Sequence, residues 1–135
     1  MTRAIEEQTM RFVLCLIALA TVGGPAAASD SEYKTCLDRS DGTNAAWSDC
    51  GGAMLRRADE RLNAAWKTAM GAMPTDGAKQ TLRAEQRAWN VYKEKSCMIY
   101  VGGDYGREGQ ALTYPSCRAD VIETRIKFLN SLNDR

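Results

Sequence analysis

Residues 45–73, AAWSDCGGAMLRRADERLNAAWKTAMGAM, decide the fold. Trp47, Cys50, Met54, Leu55, Ala58, Leu62, Ala65, Trp66, Ala69 and Met70 recur at three- and four-residue steps, the apolar stripe of an amphipathic helix. Arg56, Arg57, Glu60, Arg61 and Lys67 fall on the other face. Gly51-Gly52 weakens the first turns, so a kink or a late start is expected there. Met73-Pro74 ends the helix.

Thr75-Asp76 supplies the cap for a second helix. It is expected to run to about Tyr100 and to turn Ala78, Leu82, Trp89, Tyr92 and Ile99 inward. Gln86 shares that face, and a buried carboxamide must bond a neighbouring helix or a tryptophan indole. Residues 102–116 hold no period and read as a glycine-rich loop, long for a compact domain. A third helix follows from about Arg118 to Asn133 on the stripe Ile122, Ile126, Leu129 and Leu132. Upstream of residue 45 the chain is polar and broken, with Asp41-Gly42 as a turn signal. No internal repeat or linker divides it.

The N-terminal 28 residues have a different character. Arg11 precedes an apolar run from Phe12 to Val22, Gly23-Gly24-Pro25 breaks it, and Ala26-Ala27-Ala28 offers a cleavage site before Ser29. That order is a secretory signal peptide, and the run is too short to span a bilayer. Met10 is a cleaner start than Met1, whose neighbours include the acidic Glu6-Glu7. Cys15 invites a lipoprotein reading, but Leu14 fills a position where lipid attachment wants a small residue. The expectation is a cleaved export product, residues 29–135, periplasmic or secreted, with no stable membrane anchor.

Cys36, Cys50, Cys97 and Cys117 remain after cleavage. An even set in an exported chain reads as a disulfide framework. Short connections make consecutive helices antiparallel, which gathers all four at one pole with the 102–116 loop. Three pairings are possible. Cys36 with Cys50 and Cys97 with Cys117 is preferred because each closes a local segment, and Cys50 with Cys97 is also geometrically reasonable. The fold class expected is all-α: a small disulfide-stapled bundle of three main helices, with the glycine-rich loop before the last.

Composition narrows the function classes. The net charge is +1, and the signal removes two charges of each sign, so nothing favours nucleic acid or an anionic membrane. The chain has no histidine, which excludes Ser-His-Asp and Cys-His catalysis and the commonest metal ligand. No carboxylate pair is singled out, and the cysteines lack C-x-x-C spacing for a metal. No catalytic residue, cofactor or metal is expected.

Two cysteines ahead of D-x-x-L-N-x-x-(aromatic), then L-R-x-x-Q-x-x-W-x-x-Y-x-x-x-x-C, a Gly-Gly loop, a further cysteine and T-R resemble the LprI-type domain of exported bacterial proteins. Here these are Cys36, Cys50, Asp59, Leu62, Asn63, Trp66, Leu82, Arg83, Gln86, Trp89, Tyr92, Cys97, Gly102, Gly103, Cys117, Thr124 and Arg125. Trp66 stands where tyrosine is more usual. The resemblance covers essentially the whole chain after the signal and implies a helical, stapled domain. It carries no catalytic residue across; the activity it implies is the one in the family's name, inhibition of lysozyme.

Two sets of residues follow as candidates. Asp104, Tyr105, Arg107, Glu108 and Tyr114 are expected to reach solvent on a segment held by Cys97 and Cys117, where tyrosine and arginine anchor interfaces well. Asp59, Gln86, Trp89 and Arg125 are expected to form a structural network, with Asp59 and Arg125 joining the first and third helices. Trp66, Trp89 and Tyr92 are read as core, with a sugar-stacking platform as the alternative. The expected function is an exported binding or inhibitor module that occludes a lysozyme or another wall-cleaving enzyme. The alternative is a structural or stress-related envelope protein that binds peptidoglycan or a small ligand in a helix groove.

Overall fold

The computed structural model describes the backbone of residues 25–133 and the side chains of residues 31–133. Met10, Cys15 and the apolar run of the export segment lie outside the described residues. Four long helices carry the fold: α1 (Pro25–Arg39), α2 (Asn44–Ala72), α3 (Asp76–Lys95) and, after the single turn α4 (Gly106–Glu108), α5 (Tyr114–Ser131). Among the described residues there is no strand, and no helix is long and apolar enough to cross a membrane.

Local chemistry sets the helix starts. Thr43 Oγ1 accepts the Ala46 N–H at 3.2 Å, and Thr75 Oγ1 accepts the Ala78 N–H at 3.1 Å, so α2 and α3 each open on a threonine cap. Asp41 in turn accepts the Thr43 N–H at 3.0 Å and its hydroxyl at 2.7 Å. Those bonds hold the Asp41 carboxyl below the usual carboxylate range.

The core forms where α2 and α5 lie side by side. Ala58, Leu62, Ala65 and Ala69 of α2 meet Ile122, Ile126 and Leu129 of α5, and α3 adds Leu82. Three alanines on the α2 face let the two helices approach closely. At Gly51 the contact is tight, since a Cβ there would lie 2.7 Å from the Pro115 ring. α2 therefore runs unbroken through Gly51-Gly52, without the kink or late start its sequence suggests. Gly51 serves packing between helices, whereas Gly52 meets only Arg56 of its own helix. A bridge from Arg61 to Glu123 continues the α2–α5 seam.

Upstream of α2 the chain is helical where broken structure was expected. α1 is fixed to α2 by the Cys36–Cys50 disulfide (Cα–Cα 5.7 Å) and by an Arg57–Glu32 pair at 2.6 Å. Tyr33, Cys36 and Leu37 are its half-buried residues among the described side chains, at steps of three and one. Burial pushes the Tyr33 phenol up, with Ser116 of α5 opposing. A stripe that short is set by tertiary contacts and is weak as a sequence signal.

α3 departs from expectation in two ways. It ends at Lys95, because Cys97 takes a left-handed backbone (φ 66°) that stops the helix and leads its sulfur to Cys117. It also buries little. Leu82 is enclosed and Trp89 packs against the core, but Tyr92 and Ile99 are 59% and 64% exposed. The expected stripe drifts off the core face toward its C-terminal end.

Candidate functional site

The Cys97–Cys117 disulfide (Cα–Cα 6.0 Å) closes a cap of short turns: Met98–Tyr100, Gly103–Tyr105, α4, and a π-helical turn Gly109–Thr113 that passes directly into α5. The segment expected to be a plain loop is thus mostly helical, and α5 begins at Tyr114, a turn earlier than expected. Each turn is too short to show a period. Contacts hold them: Tyr105 meets Tyr100 edge to face at 5.0 Å, Gln110 Nε2 donates to the Val101 carbonyl at 3.1 Å, and buried Gly109 lies against Tyr105. On this scaffold Asp104, Tyr105, Arg107 and Glu108 are exposed, beside exposed Met98, Ile99 and Val101. Tyr114 differs. It is half-buried, and its hydroxyl accepts from Arg118 Nη1 at 3.1 Å.

The second feature is an open groove of about 680 Å³ between α2 and α3. Its α2 wall is Asp59, Leu62, Asn63 and Trp66; its α3 wall is Arg83, Gln86, Arg87, Asn90, Lys93 and Glu94. Both walls follow helical spacing, one face of each helix. Six of the residues that carry the family resemblance (Asp59, Leu62, Asn63, Trp66, Arg83 and Gln86) therefore face one another across this groove. Trp66 is half-buried against the core and also lines the groove. Arg87, Asn90, Lys93 and Glu94 were missed as site residues. Their spacing from Arg83 along α3 was the available signal.

Two arginines of α5, Arg118 and Arg125, hold α3 in place from the other side. Arg118 donates to the Glu94 carbonyl and carboxylate, both at 3.3 Å. Arg125 Nε donates to Gln86 Oε1 at 3.0 Å, with Glu85 at 3.8 Å and the Phe128 ring 4.8 Å from its guanidinium. Trp89 also faces Arg125, at 5.9 Å. Burial lowers the Arg125 pKa while Glu85 raises it. The expected Asp59–Arg125 link is not made. Asp59 sits on the α2 face turned to α3, where it accepts from Lys93 at 3.2 Å, while Arg125 reaches α3 from α5. α3 is thus the common partner of both. Among the described residues no cluster of cysteine and carboxylate side chains is arranged to hold a metal.

Fold, staples and surfaces together define a small, disulfide-stapled all-helical domain with a disulfide-closed cap at one pole and a groove along one side. The chain belongs to the LprI family: the family model described as lysozyme inhibitor LprI matches residues 36–129, from the first staple cysteine to the last core leucine of α5. Comparisons with curated proteins and with solved structures gave no match.

Proposed function

We propose that this chain is an exported inhibitor whose stapled pole occludes the cleft of a lysozyme or another wall-cleaving enzyme. Residues 1–28 direct export and are cleaved after Ala28, which leaves the disulfides to form in an oxidising compartment. The observation that carries the reading is the pole: exposed Tyr105, Arg107 and Glu108 stand on a segment ordered by a disulfide and by the Tyr100–Tyr105 contact. A segment ordered before docking loses less entropy on binding. Family membership supports the class of target.

Occlusion follows from charge and shape. A lysozyme cleft works through two carboxyl groups. Arg107 pairs with one of them, Tyr105 fills the adjoining subsite, and exposed Met98 and Ile99 seal the rim. The alternative of an envelope protein without an enzyme target lacks the family support. The test is titration of the oxidised, processed protein into several lysozymes in a wall-lysis assay. Stoichiometric inhibition is expected, weakened about tenfold or more by Arg107→Ala, since a charged pair at an interface is lost. No inhibition of any lysozyme overturns the reading.

A further inference from the structure

The α2–α3 groove holds two cations that nothing among the described residues neutralises. Lys93 lies 3.2 Å from Asp59 and 3.8 Å from Glu94, and Glu94 also takes Arg118. Arg125 is answered by Gln86 and Glu85. Arg83 and Arg87, one turn apart on the groove wall, make no ion pair or hydrogen bond among the described residues. Across from them the Asn63 amide is likewise unengaged, and Asn90, whose Oδ1 accepts from Gln86 at 3.4 Å, keeps its N–H groups available. Trp66 supplies the one aromatic surface.

We propose that this groove is a binding site for a carboxylate-bearing glycan. A pyranose ring stacks on Trp66, its acetamido and hydroxyl groups bond Asn63 and Asn90, and its carboxylate lies in the guanidinium forks of Arg83 and Arg87. Guanidinium groups match carboxylate geometry, and a groove of this volume is in the range that takes small ligands. The lining favours a sugar over an acidic peptide. Apart from Leu62 and Trp66 its residues are polar or charged, and one aromatic ring flanked by carboxamides suits a sugar. This site is separate from the pole and needs no enzyme target.

Calorimetric titration tests it with two disaccharides: N-acetylglucosamine joined to N-acetylmuramic acid, and chitobiose, which lacks the carboxylate. The acidic disaccharide is expected to bind about tenfold more tightly, the worth of a charge-assisted hydrogen bond. That preference is expected to vanish in R83Q/R87Q, whose exposed side chains leave the core untouched, and W66F is expected to weaken both sugars. Equal affinity for the two sugars, binding of neither, or tighter binding of an Asp/Glu-rich peptide overturns the proposal. Because no lysozyme enters the measurement, its failure and that of the inhibitor reading are distinguishable.

Discussion

Gly51 shows how one residue can matter through what it lacks. Its hydrogen faces the Pro115 ring, and a methyl group there would have to displace that ring or separate α2 from α5. Gly52, one position on, has only the flexible Arg56 guanidinium nearby, at 3.6 Å. The two are therefore expected to respond oppositely to alanine. Gly51→Ala should destabilise by about 1–2 kcal/mol, overpacking outweighing the gain in helix propensity, while Gly52→Ala should stabilise by about 0.5–1 kcal/mol. Thermal melts of the two variants check the sign. Arg125 is the other residue whose weight exceeds its appearance. Arg125→Ala should cost about 2–3 kcal/mol, because Gln86 loses its charged partner and Trp89 and Phe128 lose the guanidinium that faces their rings. Arg125→Lys should recover little of this in urea denaturation, since an ammonium lacks the planar fork.

At the scale of elements, α3 is the outlier. α2 and α5 share an apolar seam, whereas α3 encloses Leu82 alone, rests Trp89 against the core, and is otherwise held by polar contacts to Arg118, Arg125 and Asp59. Helices with few buried apolar residues open at lower free energy than the core they dock on. Amide hydrogen exchange should therefore be faster in α3 than in α2 or α5, and 0.5 M salt, on the order of three times physiological ionic strength, should widen the gap by screening the partly exposed pairs. Uniform protection across the three helices would contradict this account. The same loose docking leaves the groove open. The apolar positions keep helical spacing beyond Trp89, so the sequence alone extends α3 past the left-handed Cys97 that ends it, while Tyr92 and Ile99 stay largely exposed.

For the molecule as a whole, the two staples divide the work. Cys36–Cys50 fastens α1 to α2, and Cys97–Cys117 fastens the pole to α5. They span 14 and 20 residues, so loop closure predicts about 3 kcal/mol from each. Paired serine variants should lose similar stability in denaturant melts. Their effect on lysozyme should differ: C97S/C117S should abolish inhibition, and C36S/C50S should leave it largely intact while the domain remains folded. Equal loss of inhibition from both would mean that the pole is not the contact surface.

Sequence alone determined the all-helical class, the α2 stripe, the threonine start of α3 and the gathering of the cysteines at one pole. These follow from periodicity and capping, which act between residues close in the chain. The pole candidates were legible as residue types, Tyr105 and Arg107 on a stapled segment. Tertiary structure alone decided that α1 is a helix, that residues 102–116 coil into short turns, that Asp59 and Arg125 each turn to α3, and that the residues of two sequence motifs face each other across a groove. Such features depend on which surfaces meet after folding. Helical spacing names the face of a helix a side chain occupies, but not whether that face meets the core, a partner helix or an open groove.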